Sequence, residues 1–551
     1  MNRPRGGFCR RTRSSRRNEF AVTTLDQPSR TTGALNHGFF VRFQRPFTSI
    51  GHSTTASRAG MLLVLYLGIP TALAAVLVRW PLSTGAAVAT CVVAALSVLS
   101  ARKTARLVAG LLLCLLTGYA FFGKSFAYLG IPPVYVGEAV LGFALVGSLG
   151  TGLIWFPLRS KLAWLLLSFA ALCAAQTIPY IPVYGLDALR DAALWGYAAF
   201  AFVVAGLLLR QWPLAAAAGF YRRLMPALLI WIVVAWGVQM FAPSLWPVLE
   251  PDGSPAFLVK AGDATVHLAG IASFLILGLH RVSPRKNAGG GIREWFLWTI
   301  WGSGFVLLGS QTRGGLLSML VGLSMVLVLR PRGKWGKLAV VCLCGLSLFL
   351  VLDLEFDIGK ARSVSPQQIL NGLTSVTGGG DPGYEGTRRW RLSWWQTIIE
   401  YTFHGQFFWS GKGFGVNLAD DDGYQADAYR RLRSPHNGHL TILARAGVPG
   451  LAIWLLVQGC FCLGLFKSYV RARGTGQGER AALVAWILSY WAAFMVNGAF
   501  DVFLEGPQGG IWYWSVFGVG LAVLSERSPC SHRRTRTTAA LLNPASSVRA
   551  A

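Results

Sequence analysis

The sequence of 551 residues is 53% hydrophobic and only 13% charged, whereas about a quarter of the residues in an average soluble domain are charged. This composition excludes an ordinary soluble globular protein and predicts a polytopic membrane protein of the all-α class, a transmembrane helical bundle. The formal net charge of +28 could point to a nucleic-acid partner, but the distribution of the basic residues described below argues against one.

The first sixty residues differ from the rest of the chain. Residues 1–60 are rich in arginine, serine and threonine and lack a clear periodicity, which is typical of a disordered basic tail. They contain no evident signal peptide with a small-residue cleavage site. Seven of the nine cysteines lie in apolar segments and none lies in a predicted outward loop, so neither disulfides nor a zinc site are expected.

Apolar windows predict the membrane spans. At ~1.5 Å per residue, about 20 helical residues cross a ~30 Å hydrocarbon core. Because the shorter windows could be re-entrant, we expect about 12 to 14 spans, and fourteen windows are found. They lie at about 61–78, 84–100, 107–122, 134–155, 162–178, 192–209, 226–242, 265–279, 295–310, 314–329, 338–353, 446–466, 481–500 and 510–525.

Lysine and arginine counts predict the orientation. The short loops fall into two alternating sets. One set carries twenty lysine and arginine residues in total, and the other carries only five: Arg79, Lys124, Arg190, Lys260 and Arg313. Since basic residues accumulate on the cytoplasmic side, we expect both termini to be cytoplasmic. Most of the net charge then needs no partner beyond the anionic inner leaflet.

The orientation divides the chain into regions. Spans 1–11 are expected at 61–353, a large extracytoplasmic loop at 354–445, the last three spans at 446–525, and a basic cytoplasmic tail at 526–551. The middle of the loop is tryptophan-rich and amphipathic, which is typical of a helix that lies along the membrane interface.

The cations on the outward side form the candidate site. Several stand at the start of a predicted helix, where free backbone N–H groups favour an anion, and guanidinium groups match phosphate geometry. The pattern predicts a diphosphate-sized anion site at the outer surface beside a groove open to lipid, with His436 as general base. The residues are Arg190 beside Asp191, Lys260 with Asp263 and His267, Arg313, Arg388, Arg389, Arg391, Arg430, Arg431 and Arg433.

Each of these residues also has a structural interpretation. Arg190 and Asp191 could form an interfacial ion pair, Lys260 could extend to headgroups, Asp263 could cap a helix, and His267 could be a packing residue. The arginines at 388, 389 and 391 could bind lipid headgroups, and the "GKGFG" segment at 411–415 is interpreted as a turn. For Arg313 and His436 a functional role is favoured.

Several segments resemble the O-antigen ligase and O-antigen polymerase superfamily. "SQTRGGLLSMLVGL" is similar to its Ser-x-Ser-Arg-Gly segment, with Thr312 in place of the second serine, and "GKGFGVN…RSPHNGHLTILARAGVPGLAIWL" is similar to its Gly-x-Gly…His-Asn-x-x-Leu…Gly-x-x-Gly segment. "GKSFAYLGIPPVYVGEAVL", "YGLDALRDAALWGY" and "VKAGDATVHLAG" resemble the exopolysaccharide-polymerase-like branch. The resemblance covers roughly 120–455, with a core at about 265–455, and the fourteen windows exceed the dozen or so spans usual in this superfamily.

The resemblance implies a glycosyltransferase on the outer face of the bacterial cytoplasmic membrane. It implies metal-independent, inverting transfer without a cofactor, from a glycan on undecaprenyl diphosphate to a glycan or lipid acceptor. By the same resemblance, arginines hold the diphosphate and the histidine acts on the acceptor hydroxyl. We expect Arg313, Arg433, Arg190 and Lys260 in the first role and His436 in the second, with Asp263, His267, Asn437, Arg388 and Arg391 in support.

Two questions stay open at the level of sequence. Ligase and polymerase share the donor and differ in the acceptor, so the resemblance does not separate them. A flippase or transporter of a lipid-linked sugar is the alternative function, and a non-catalytic member of a polysaccharide assembly complex is a third. The expected partners are the lipid-linked donor, the acceptor and membrane lipids, with no nucleic acid.

Overall fold

The computed structural model describes residues 100–131, 134–249, 254–255, 257–281, 290–309, 311–330, 335–351, 356–357, 363–364 and 382–526. These residues are predominantly helical, which confirms the all-α fold class. In these ranges strand pairing consists of one isolated parallel bridge, between Gly123 and Leu258, and three antiparallel pairs of two-residue strands: Gly130–Ile131 with Val134–Tyr135, Val248–Leu249 with Ser254–Pro255, and Phe356–Asp357 with Ser363–Val364.

Fourteen longer helices make up the described part of the chain. They are α1 Ala101–Phe122, α2 Val136–Gly150, α3 Lys161–Thr177, α4 Leu186–Gly196, α5 Ala199–Arg210, α6 Ala215–Phe241, α7 Ala261–Ile276, α8 Gly290–Gly309, α9 Arg313–Leu329, α10 Gly336–Val351, α11 Pro382–Ile399, α12 Gly438–Gly474, α13 Gly478–Gly498 and α14 Pro507–Ser525. Single helical turns lie at Ile181–Tyr184 and Leu418–Asp421, a π-helical turn at Glu400–His404, and 3-10 turns at Lys124–Tyr128, Leu153–Trp155, Pro157–Arg159, Ile178–Tyr180 and Pro243–Leu245.

The apolar windows predicted from 107 onward coincide with helices α1 to α10 and α12 to α14. Among the described residues, six helices are long and apolar enough to cross a membrane, or seven if the pair bent by 83° at 136–159 counts as one span, and three more apolar helices are shorter. This confirms a multi-pass helical protein. The total of 12 to 14 spans stays a prediction, because the window at 61–78, nearly all of the window at 84–100 and both basic tails lie outside the described residues.

Helices α7, α9 and α13 pack together at the centre of the bundle. Polar side chains join them: Ser489 Oγ donates to the Gly322 carbonyl at 2.8 Å and lies 2.5 Å from Ser273 Oγ. Such hydrogen bonds between helices supplement van der Waals packing where no water is available to backbone and hydroxyl groups. The same three helices carry site residues at one end of the bundle, so that end rests on a well-packed interior.

Helix α12 begins earlier than the sequence predicts and is broken near its start. The predicted loop ends at 445, but the structure is helical from Gly438, and the chain kinks at Gly447, where φ is +67°. A β-carbon at Gly447 would lie 2.5 Å from the Phe408 carbonyl oxygen, so this position requires glycine. The first part of α12 is therefore a short helix, separate from the long apolar part that follows.

The tryptophan-rich helix α11 packs on protein. Its buried residues Trp394 and Ile398 are one helical turn apart and form a small core with Leu418, Leu443 and neighbouring side chains. Trp394 Nε1 also donates to Asp422 Oδ2 at 2.6 Å. The amphipathic pattern in the sequence thus reflects, at these two positions, burial against the folded end of the large loop.

Candidate active site

A cleft of about 1020 Å³ lies where the large loop meets the ends of α4 and α12. Four cationic side chains and one histidine line it, against a single carboxylate, Asp427, which pairs with Arg431 at 3.1 Å. A cleft with this excess of positive charge favours an anionic ligand. Its lining residues are Lys124, Tyr128, Arg190, Gly386, Thr387, Trp390, Arg391, Ala426, Asp427, Arg431, Leu432 and His436.

Three of the cations in the cleft have no carboxylate within ion-pair distance in the described structure, although Asp501 acts on Arg391 from farther away. Lys124, Arg190 and Arg391 have no ion-pair partner within 4.0 Å among the described residues. Arg391 Nη1 donates instead to the Phe500 carbonyl at 3.1 Å, and Lys124 lies 6.0 Å from the ring centre of Tyr128. Their charge is therefore available to a ligand. Sequence analysis counted Lys124 among the basic residues of the loops but did not predict it as a site residue. Only the tertiary structure places it in the same cleft as Arg190.

His436 has an unusual backbone conformation. Its φ of +54° lies in the left-handed region, which non-glycine residues occupy rarely and at a cost, often at functional sites. The segment around it is fixed on both sides: Trp395 Nε1 donates to the Pro435 carbonyl at 2.8 Å, and Asn437 caps α12 by accepting from the backbone N–H of His439 at 3.1 Å. The predicted supporting residue Asn437 thus acts as an N-cap.

Asp501 is the carboxylate that faces His436, and the sequence reasoning missed it. Its Oδ1 lies 3.7 Å from His436 Nδ1, and its Oδ2 accepts from Lys260 Nζ at 2.8 Å. Burial alone would raise the pKa of Asp501, but His436 and Lys260 outweigh burial and hold that pKa below its usual value. The available signal was an acidic residue in a predicted outward loop without cations, "NGAFDVFLEG". Counting only lysine and arginine did not register it.

Lys260 is paired with Asp501 and forms the N-cap position of α7. Burial alone would lower the pKa of Lys260, but the nearby Asp263 and Asp501 carboxylates raise it above its usual value. Asp263 lies in the first turn of α7 and is buried, so the capping position expected for it belongs to Lys260. Together these residues bring the start of α7 to the same place as His436.

Arg433 is bound into an internal ion-pair cluster. It donates to Asp187 Oδ2 and Asp191 Oδ2, both at 3.0 Å, and to the Gly415 carbonyl at 2.8 Å. Arg445, only 1% exposed, lies 2.9 Å from the same Asp191 oxygen. We call these five residues the loop clasp. Asp191 thus pairs with two distant arginines, whereas the sequence suggested its neighbour Arg190.

The loop clasp gives Arg433 a position different from the one expected. Burial alone would lower the pKa of Arg433, but Asp191 and Asp187 raise it above its usual value. Its side chain is 12% exposed, and it is not among the residues that line the cleft. Its donors are occupied by protein groups, so in this structure Arg433 attaches the segment before His436 to α4.

Arg313 begins α9 immediately after a threonine cap. Thr312 Oγ1 accepts from the Gly315 N–H at 3.3 Å, so threonine supplies the capping hydroxyl where the resembling segment has serine. A β-carbon on Gly314 would lie 2.7 Å from Phe500 Cβ, so this glycine serves close packing against the 497–501 turn. The start of α9 therefore lies beside Asp501, although Arg313 does not line the cleft.

Residues 298–455 match the model of the O-antigen ligase family. This region of the chain is similar to that family, and we call residues 298–455 the ligase domain. This confirms the resemblance, and the ligase domain contains Arg313, Arg391, Arg433 and His436. Among curated proteins, none matches the chain. Lys260 and Asp501 lie outside the ligase domain in sequence but contact each other beside its histidine.

Two other histidines near the ligase domain's site are occupied by packing contacts. His267 Nδ1 lies 2.5 Å from the Tyr490 hydroxyl, and its ring is 5.1 Å from that of Trp512, which matches its structural interpretation. His439 accepts from Trp454 Nε1 at 3.1 Å through Nδ1, and its Nε2 lies 3.1 Å from the Met495 carbonyl. Both ring nitrogens of His439 are thus occupied, and His436 is the histidine that reaches the cleft.

The remaining predicted residues lie at the edge of the ligase domain's site. Arg388 and Arg389 are on α11 one turn or less from Arg391, half-buried and exposed respectively, and they are not among the cleft-lining residues. The "GKGFG" segment is a turn, with positive φ at Gly411, Gly413 and Gly415. No cluster of three or more His, Cys, Asp or Glu side chains suited to a metal ion occurs in the described ranges, and metal independence stays a prediction.

Proposed function

We propose that this protein is a glycosyltransferase of the bacterial cytoplasmic membrane. It transfers a glycan from undecaprenyl diphosphate to a hydroxyl acceptor at the outer face, with inversion at the anomeric carbon. The observation that carries this proposal is the cleft in which His436 lies with three cations that have no ion-pair partner. His436 and Arg391 belong to the ligase domain, and Lys124 and Arg190 come from earlier in the chain. A cleft of about 1020 Å³ has room for both a diphosphate and a sugar acceptor.

The cations of the cleft bind the diphosphate. Lys124, Arg190 and Arg391 are the ones without a carboxylate partner in the described structure. As the glycosidic bond breaks, the leaving diphosphate gains negative charge, and fixed cations stabilise that charge more in the transition state than before. Arg313, at the start of α9, assists from the neighbouring helix end. Arg433 and Lys260 have protein carboxylates as partners and act by positioning.

His436 acts as the general base. Its Nδ1 faces Asp501, so Nε2 is the nitrogen that takes the proton from the acceptor hydroxyl. The 3.7 Å separation is longer than a hydrogen bond and shortens when substrate is bound, as is common for catalytic contacts. The acceptor oxygen forms the new bond to the anomeric carbon, and the electron pair of the old carbon–oxygen bond leaves with the diphosphate. His436 then returns its proton to solvent.

The position of the cleft suits a donor whose tail stays in the bilayer. Arg190 is on α4, whose side chains Leu186 and Leu189 are 55% and 50% exposed. In the neighbouring turn, Ile178 is 64% exposed. Exposed apolar side chains beside a cationic residue are typical of a membrane interface. An isoprenoid chain can therefore approach along this surface while its diphosphate enters the cleft.

The first experiment measures turnover by the purified protein. An undecaprenyl-diphosphate-linked glycan is supplied with candidate acceptors, and mass spectrometry follows free undecaprenyl diphosphate and glycan product. His436→Ala should lower the transfer rate by about 10²–10⁴, and Arg190→Ala by about 10²–10³. His404→Ala, at an exposed histidine of the π-helical turn, is the matched control and should transfer like the unaltered protein.

The outcomes separate the candidate functions. A His436→Ala variant as active as the His404→Ala control would refute the assignment of the base. No transfer by the unaltered protein, together with transbilayer movement of the lipid-linked sugar in proteoliposomes, would establish the flippase instead. When transfer is observed, products of one added glycan indicate a ligase, and products of many repeat units indicate a polymerase.

A further inference from the structure

Helix α11 carries three tryptophans, and their indole N–H groups have different surroundings. Trp394 Nε1 donates to Asp422 Oδ2 at 2.6 Å, and Trp395 Nε1 donates to the Pro435 carbonyl at 2.8 Å. Trp390 lines the cleft and is half-buried, and its Nε1 makes no hydrogen bond to the part of the chain that the structure describes. Two of the tryptophans thus hold the protein together, whereas the indole N–H of Trp390 is available to a ligand.

The ring of Trp390 is held in place from the protein side. Its centre lies 5.4 Å from the ring centre of Trp394 and 6.3 Å from that of Tyr424, with interplanar angles of 65° and 70°. Both neighbours therefore meet it at a steep angle, and no aromatic ring of the described residues is stacked parallel to it. A side chain that is fixed before binding loses little entropy when a ligand packs against it.

Large apolar side chains line the cleft in two places. Tyr128 follows α1, and Lys124 Nζ lies 6.0 Å from the centre of its ring, so a cation already faces that ring. Trp390 and Leu432 belong to the large loop, and both pack against the small core under α11. The loop thus contributes a fixed apolar surface to a cleft that is otherwise rich in charge.

A sugar ring suits this surface. The face of an aromatic ring is negative and its edge is positive, so the face of Trp390 attracts the C–H groups on one side of a sugar and repels a phosphate. The free Nε1–H can donate to a sugar hydroxyl, because an indole nitrogen is a donor only. A purely apolar chain would leave that N–H without a partner, which costs free energy once water is excluded. Trp390 therefore selects a carbohydrate over both the diphosphate and the lipid of the donor.

We propose that Trp390 binds the acceptor sugar by stacking against its ring, an inference that rests on the proposed glycosyl transfer. The donor's diphosphate is held at Lys124 and Arg190, which follow α1 and lie on α4, next to the membrane helices. In an inverting transfer the acceptor attacks from the side away from the leaving group, and the loop supplies the part of the cleft away from those helices. Trp395, on the same helix, anchors the backbone just before His436, so α11 presents the acceptor to the base.

The test compares two substitutions of Trp390 in the transfer assay. Trp390→Leu removes the ring and keeps an apolar side chain, and we expect KM for the acceptor to rise about tenfold, with KM for the lipid-linked donor unchanged. Trp390→Phe keeps a ring against Trp394 and Tyr424 but loses the N–H, so its acceptor KM should rise only about threefold. Trp409→Leu, at a side chain of the same loop that is 75% exposed and does not line the cleft, is the matched control.

The two KM values separate stacking on the acceptor from a structural role. A loosened core would lower the Tm and kcat and change both KM values, whereas a lost acceptor contact raises only the acceptor KM. An acceptor KM of Trp390→Leu equal to that of Trp409→Leu, or an equal rise in donor KM, would overturn this inference and leave the glycosyl transfer standing. If Trp390→Leu does not fold, the two KM values of Trp390→Phe decide in the same way. Absence of transfer by the unaltered protein would instead overturn the proposed function.

Discussion

Replacing Asp191 by asparagine removes the negative charge at the centre of the loop clasp. The Asp191 carboxylate is 8% exposed, accepts hydrogen bonds from Arg433 and from the Gly415 N–H, both at 3.0 Å, and forms an ion pair with Arg445 at 2.9 Å. These contacts join α4 to the turn at 411–415, to the segment before His436 and to the end of the first part of α12. Asp191 thus connects four segments of the described structure through hydrogen bonds and ion pairs.

The stability that Asp191→Asn loses depends on how deeply its arginine partners are buried. Removing one partner of a buried ion pair costs about 3–5 kcal/mol, because the other charge stays buried without compensation. Arg445 is 1% exposed, so it cannot turn to solvent. Glu505 is close enough to interact electrostatically with Arg445, and Arg433 keeps Asp187. We therefore expect the lower end of the range, a loss of about 3 kcal/mol in the free energy of unfolding.

Thermal unfolding in detergent and limited proteolysis of the 411–436 segment measure this loss. The matched control is Asp420→Asn, at a carboxylate 25% exposed whose partner Arg430 is 72% exposed. Pairs of this kind contribute about 0–1 kcal/mol. Asp191→Asn should have a clearly lower Tm than Asp420→Asn and should be cleaved faster between 411 and 436. Equal behaviour of the two variants would refute the reasoning that the loop clasp holds His436 in place.

Three further changes test local features near the site. Gly447→Ala should lower the free energy of unfolding by about 1–3 kcal/mol, because φ is positive there and the β-carbon would clash with the Phe408 carbonyl. The control is Gly459→Ala, on the same helix, where the added carbon has open space. Equal Tm values for the two variants would contradict this prediction. Asn437→Ala should lose about 0.5–2 kcal/mol of unfolding free energy and Asn437→Ser very little, since serine can also cap the helix; equal Tm values for the two would exclude the capping role. Burial raises the pKa of Glu505 above its usual 4.5, so the free energy of unfolding should fall as pH rises above that value. The difference in Tm between Glu505→Gln and the unaltered protein should therefore grow from about pH 4 to pH 8. A difference independent of pH would show that Glu505 does not titrate in this way.

Hydropathy predicted the helices well because a membrane leaves the chain few options. A segment in lipid must satisfy its own backbone hydrogen bonds, and its length is set by the hydrocarbon thickness. The start of α12 departs from the prediction for an equally physical reason. A window average does not register one left-handed residue, Gly447, so the short helix before the kink was assigned to the loop. The cap at Asn437 and the sequence Gly447-Val448-Pro449 were the local signs.

The sequence grouped the cations of the predicted outward face but did not show which of them have partners within the protein. Arg190, Arg391 and His436 do line one cleft, whereas Arg433 is held by Asp191, a residue 242 positions away. The sequence does not indicate whether the partner of an arginine is a substrate phosphate or a buried carboxylate. Only the tertiary contact distinguishes the two, and no periodicity or spacing along the chain records it.

The carboxylates therefore carry much of the information about the site. Asp191 and Asp501 neutralise Arg433 and Lys260 and place the backbone that carries His436. Of the four cations that line the cleft, Lys124, Arg190 and Arg391 have no such partner in the described structure, and Arg431 pairs with Asp427. Desolvating a cation without a counter-charge is costly, so a protein keeps such groups in a cleft when a ligand supplies the missing charge. For the face predicted to be outward, which carries few cations, the absence of a carboxylate partner is a stronger sign of a ligand site than the cation itself.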